Sequence, residues 1–277
     1  MIHCKELNQD FETKNEMFRA LKINESKITG LKCSQIFKSA EKGQLSIQGA
    51  YMKRNNIEAA KVEGFEDGKV YPVINTTKYF DSHGDVHFDG LWKKTLKEQK
   101  GMIYYVDNHS FKVDDVIAWN GDVDAFTKEI DWALVGKDFV GQTQALIFAI
   151  AEDKIVKSSA KKVMEEKRSV ENSVRMQYVK ITLGINSQEK ELRANKEYYD
   201  TRISQIANKA TVEEQGYFWG VEEAKIHKEG SMVLAGSNDA TSIIYTTSEA
   251  DTKSLQDKAI EAAKKALQEK QNYLLNL

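Results

Sequence analysis

Ser173-Val174-Arg175-Met176-Gln177-Tyr178-Val179-Lys180-Ile181-Thr182-Leu183-Gly184-Ile185 is the longest strand candidate in the chain, and its reading decides the fold class. Val174, Met176 and Tyr178 alternate with Ser173, Arg175 and Gln177, the period of a strand with one apolar and one polar face. From Val179 to Leu183 the alternation blurs, which predicts burial on both faces or a bulge. Upstream of it, Ile155–Lys167 is rich in Lys, Glu and Ala and reads as a helix. Downstream, Gln188–Asn208 is a charged helical stretch, and residues 215–248 return to strand-like texture.

Further toward the N-terminus, short apolar runs predict strands at Leu45–Tyr51, Val70–Thr77, Met102–Val106, Val116–Trp119, Trp132–Val135 and Ala145–Ala151. Turn dipeptides Asp67-Gly68, Asp89-Gly90 and Asn120-Gly121 punctuate them. Leu91–Gln99 reads as a helix with Leu91, Thr95 and Leu96 toward the core. Strands that cluster rather than alternate with helices predict an α+β fold, not a doubly wound parallel sheet.

The two ends differ from this centre. Residues 1–43 read as an N-terminal extension containing a short helix over Glu12–Leu21, with Met17, Phe18 and Leu21 on one side. Residues 44–248 form the central domain, and residues 249–277 a helical tail. Over Asp251–Leu277 there is no Gly or Pro, and Leu255, Ala259, Ala262, Ala266, Tyr273 and Leu277 fall near one face of an amphipathic helix.

The 277 residues carry 40 Lys and Arg against 42 Asp and Glu, a formal net charge of −2, so charge gives no support for nucleic acid as the main partner. No stretch approaches the ~18 consecutive apolar residues of a membrane span, and Met1–Lys14 lacks the apolar core of a signal peptide. Cys4 and Cys33, without a CxxC pair, are expected as reduced thiols in a cytoplasm, with a single disulfide as the alternative. There is no P-loop and no GxGxxG.

Four segments hold chemistry-bearing residues. Asp107-Asn108-His109-Ser110 follows a strand, where a histidine titrating near neutrality is placed to act as a general base. Ser173 opens the long strand after a polar turn; its hydroxyl is a nucleophile only with a base and oxyanion donors beside it. In Phe80–Gly90, an extended chain would set Asp81, His83, Asp85, His87 and Asp89 on one face, a donor set suited to zinc. Gly84 is misplaced, and the closing Glu absent, for an EF-hand. The fourth is Ile226–Asn238, where His227, Glu229 and Ser231 share a strand face. Each has an ordinary alternative as a solvated loop or strand residue.

Order and wording are more informative than any single segment. The run DSHGDVHFDGLWKKTL resembles the opening block of the prohead (capsid maturation) proteases of tailed phages, through Asp81, Gly84, Asp85, Gly90, Trp92, Thr95 and Leu96. Asn108-His109, then Ser173-Val174-Arg175-Met176, then Glu229, Ser231, Val233 and Asn238 match the later blocks in the same order, over about residues 65–245. The usual Ser-Ile-Gly-Phe is Ser173-Val174-Arg175-Met176 here, and Pro-Ala-Asn is Gly236-Ser237-Asn238.

The resemblance implies a serine endopeptidase with no cofactor, Ser173 as nucleophile, His109 as base and Glu229 as the group that orients it. His227 is the alternative third member and Asp107 a further candidate. Distant similarity of that family to herpesvirus assemblins implies a β-barrel core surrounded by helices. Implied substrates are major capsid and scaffold proteins and the chain itself, inside a procapsid assembling in the host cytoplasm; an oligomer is compatible with this. The family's first block is structural, which implies no metal at His83 and His87. The rival readings are a non-enzymatic capsid or scaffold component with a protease-like fold, and a metal-dependent hydrolase using His83, Asp85 and His87.

Overall fold

The computed structural model describes residues 1–36 and 64–246. The expected strand Leu45–Tyr51 and the tail helix over residues 251–277 lie outside the described residues.

The chain begins with a hairpin of β1 (Ile2–Cys4) and β2 (Gln9–Phe11), followed by helix α1 (Lys14–Ser34). Thr13 caps α1 and Glu16 returns the bond to the Thr13 backbone, a reciprocal capping box. The helix therefore starts where the sequence placed it, but it runs on to Ser34. Next come β3 (Lys69–Thr76), β4 (Asp85–His87), α2 (Lys93–Glu98), β5 (Tyr104–Asp107), β6 (Val116–Ala118), β7 (Asp124–Asp131), β8 (Gln142–Ala151) and α3 (Ser158–Glu165). The long strand β9 (Glu171–Ile185), helices α4 (Arg193–Ile203) and α5 (Lys209–Gln215), strand β10 (Tyr217–Val233) and β11 (Ile243–Tyr245) complete the described fold.

The strands form two main sheets, and the class is α+β as expected. In the first, β10 is central, antiparallel to β9 on one side and parallel to β4 and then β5 on the other; β6 pairs with β5. The second is antiparallel in the order β11-β3-β8-β7. Val174, Met176, Tyr178, Tyr105 and Ile226 from the first pack against Ile74, Leu146, Phe148 and Ile150 from the second. At Gly230 the sheets come so close that a Cβ would lie 2.6 Å from Phe148 and 3.0 Å from Ile74.

Among the described residues the expected barrel is not present: both sheets are open. Closing a barrel needs a uniform strand stagger, whereas β10, of 17 residues, has β9, of 15, along one edge but only β4 and β5, of 3 and 4, on the other. Trp132–Val135, expected as a strand, is a single 3-10 turn closed by Gly136 in the left-handed region, with Trp132 and Val135 buried. β7, which the sequence reading passed over, buries only Ile130 along its eight residues and therefore shows little apolar periodicity.

The N-terminal 34 residues pack on the sheet. Cys4, Phe11, Met17, Phe18 and Leu21 form a cluster with Leu183, Ile185, Tyr217 and Trp219. At the far end of α1, the buried Lys32 Nζ meets Asp85 Oδ1 at 2.5 Å, and Tyr178 donates to Asp85 Oδ2 at 2.8 Å. Burial works against the Lys32 charge, but Asp85 more than offsets it and raises its pKa.

Removing one partner of a buried ion pair strands the other charge. Lys32→Met is therefore expected to lower stability by about 3–5 kcal/mol, and Lys32→Met with Asp85→Asn to cost less than the two single changes added together. Urea titration of the four proteins checks this; additive losses would mean that the pair is not coupled.

Candidate active site

Ser173 and Glu229 lie on adjacent strands of the first sheet, β9 and β10, and His109 just beyond the end of β5 on the other side of β10. Ser173 on β9 stands opposite Ser231 on β10, and Ser231 is in register with Val106 on β5. Residues paired in this way project on the same face, so Ser173, Arg175, Glu229 and Ser231 share one face of the sheet. The start of β9 is fixed by Asn172, which accepts from the Tyr105 hydroxyl at 2.7 Å and donates to the Ser242 carbonyl at 2.9 Å.

His109 reaches this face through a turn just beyond β5. The Asn108 N–H still bonds to the Met232 carbonyl at 3.0 Å. Asn108 and His109 then both adopt left-handed backbone, with φ of 48° and 54°, at a cost of about 1–3 kcal/mol each for residues that are not glycine. The Ser231 hydroxyl accepts the His109 N–H at 2.8 Å, and Arg175 Nη2 donates to the His109 carbonyl at 2.9 Å. Beyond it, Ser110 donates to Asp115 at 2.6 Å, and Lys157 joins Asp115 at 2.8 Å to Asp107 at 3.3 Å.

The His109 imidazole is 5% exposed and its Nδ1 donates to Glu229 Oε1 at 2.7 Å, across 120 residues of sequence. That bond fixes the tautomer, so in the neutral ring the lone pair is on Nε2, as a general base requires. Glu229 is wholly buried, and Arg175 Nε lies 3.3 Å from its Oε1. A buried carboxylate in this position is compensated by both groups. A bulge makes the arrangement possible. Ile226 pairs with Met176 and Gly230 with Val174, so His227, Lys228 and Glu229 face the single residue Arg175, and Lys228 is left-handed with φ of 63°. Bulges re-aim side chains in this way.

Along this bulge His227 and Glu229 take different partners. His227 Nε2 meets Gln177 Oε1 at 3.3 Å, and burial followed by the charges of Lys225 and Arg175 lowers its pKa. Glu229 is the residue that the fold sets on His109; Asp107 turns to Lys157 instead. Arg175 and Ser231 also take part, through the His109 carbonyl and the His109 N–H; the sequence sets both on polar strand faces but does not single out Arg175 for a role. A polar face shared by Ser173 and Arg175 was the available signal.

The histidine-rich run is not a single extended face. A turn at Asp81–Gly84, with Gly84 at φ of 78°, precedes the short strand β4. Donor atoms of Asp81, His83 and Asp85 lie within 4.8 Å of one another, but Asp85 is engaged by Lys32 and Tyr178. His87 Nδ1 pairs with the Asn75 side-chain amide and Nε2 with Tyr178, while Asp89 accepts from Thr77 and meets Lys78. The cation beside Asp85 is thus an ammonium group of the chain itself.

Comparison with protein-family models, curated proteins and solved structures found no match to this chain.

Burial and the neighbouring charge of Asp85 push the Asp81 carboxyl up to about 8 from its ordinary 3.8. Between those values the folded chain holds a proton that the unfolded chain has lost, so this group makes stability fall as pH rises. Burial lowers His83, and lowers His87 to about 4; their contributions are complete above the ordinary 6.5 and are lost on acidification. Above 6.5 only the Asp81 slope remains among these three. The urea midpoint should therefore drop between pH 6.5 and about pH 8.5, and Asp81→Asn, whose carbonyl still accepts the His83 and Asp85 N–H groups, should flatten the drop. An unchanged drop in the variant would mean that Asp81 is ionised throughout.

Proposed function

We propose that this chain is a serine endopeptidase of the prohead-maturation kind. Ser173 attacks the scissile carbonyl, His109 takes its proton through Nε2, and Glu229 holds the imidazole and stabilises the imidazolium that forms. The proton then passes to the leaving amine, and water repeats the sequence to release the acyl group. The observation that carries the reading is the buried 2.7 Å His109–Glu229 hydrogen bond on the sheet face that also bears Ser173. The resemblance found in the sequence had named the same three residues.

Arg175 supports the reading as a positioning residue, hydrogen-bonded to the His109 carbonyl and within ion-pair distance of the Glu229 carboxylate. The strained Asn108-His109 turn supports it as well, because strain of that kind is concentrated where a side chain must be pre-set for chemistry. The proposed substrates are scaffold and major capsid protein segments, and the chain itself, inside a procapsid assembling in the host cytoplasm; no cofactor takes part in the proposed steps.

Ser173→Ala should leave a folded protein whose cleavage of unfolded polypeptide, read by mass spectrometry, falls on the order of 10³-fold or more. Glu229→Gln should lie between wild type and Ser173→Ala, because nucleophile and base remain. His227→Gln should be close to wild type. Full activity in Ser173→Ala would remove the serine mechanism, and a damaging His227→Gln beside a harmless Glu229→Gln would move the third role to His227.

A further inference from the structure

The face that carries Ser173, His109 and Glu229 continues past the site as an aromatic surface. Tyr104 on β5 is in register with Glu229 and lies on the same face. Its ring meets Phe111 edge-on at 6.3 Å on one side and Trp119, just beyond β6, at 6.1 Å on the other. Phe111 remains 48% exposed and Trp119 40%, and Val113 in the same loop is 72% exposed. Large apolar side chains left in contact with water next to a polar site mark a binding surface.

This surface is joined to the catalytic groups. Phe111 is two residues from His109, and the Arg175 guanidinium that holds the His109 carbonyl lies 4.9 Å from the centre of the Phe111 ring. Arg175 is in turn two residues from Ser173 on the same strand face. One arginine therefore ties together the base, its carboxylate and the near end of the aromatic surface. A polypeptide lying across Ser173 in extended form spans about 3.3 Å per residue, so side chains a few positions from the scissile bond fall within reach of these rings.

We propose that Tyr104, Phe111 and Trp119 form a substrate subsite that selects a large apolar side chain at a fixed position from the cleaved bond. The occupant is an extended segment of substrate protein. This rests on the serine endopeptidase reading and adds to it the class of sequence that is cut.

The test uses the full chain and a degenerate peptide library, with cleavage sites read by mass spectrometry. Wild type should enrich Phe, Tyr, Trp, Leu or Met at one position relative to the cut. For a single peptide taken from that set, Trp119→Ala should raise KM about tenfold or more, as expected for the loss of an apolar pocket contact. Its kcat should stay close to wild type, the Ala-substituted peptide should be cut equally by both proteins, and Trp119→Phe should restore most of the preference. Cleavage without apolar enrichment, or an unchanged KM in Trp119→Ala, overturns the subsite while leaving the protease standing. No cleavage by wild type defeats the protease reading and the subsite with it. A change in solution mass on Trp119→Ala with peptide selection intact makes the surface a self-association face and also overturns the inference.

Discussion

Strand β10 has hydrogen-bonded partners on both sides, β9 along almost all of its length and β4 and β5 in turn on the other edge. Everything at the candidate site follows from that constraint. A strand paired on both edges and pressed at Gly230 by Phe148 and Ile74 can place a carboxylate where no water reaches it. Once buried, Glu229 must meet donors or positive charge, since an unpaired ion in the interior is costly. The bulge opposite Arg175 supplies one such group, and the turn after β5 supplies His109.

The two groups are not equivalent. Arg175 keeps its charge at any ordinary pH and binds the His109 backbone as well as the carboxylate, so it acts as a fixed strut. The imidazole is held by its Nδ1 bond to Glu229, which in the neutral ring sets the lone pair on Nε2. The backbone at Asn108 and His109 is held in the left-handed region by bonds from Met232, Ser231 and Arg175. In the proposed mechanism such a pre-set base needs no reorganisation during the reaction, which is where preorganised sites gain rate.

Much of this arrangement was legible in the sequence. Simple alternation gave β9 its buried Val174, Met176 and Tyr178, and the blurred stretch after it coincides with register shifts against Val221, Glu223 and Ala224. Met17, Phe18 and Leu21 mark the buried face of α1. What periodicity could not carry was anything set by a partner distant in sequence. Lys32 looks like any surface lysine until α1 lies against Asp85, and nothing in the donor-rich run Asp81–Asp89 marks which carboxylate that lysine engages. β7 is polar because it is an edge strand, and Trp132–Val135 is apolar because its turn is buried. The barrel was expected from the family resemblance, whereas strand lengths this unequal give open sheets. The bulge at Lys228 has no sequence mark, so alternation alone could not separate Glu229 from His227.

The measurement that tests the central claim most directly is covalent labelling of the folded chain with a fluorophosphonate, followed by peptide mapping. Such reagents phosphonylate a serine hydroxyl only when a base activates it. The account predicts one adduct, on Ser173, that disappears in His109→Ala while the fold is retained. A folded wild-type chain that takes no label, or takes it on another serine, contradicts it.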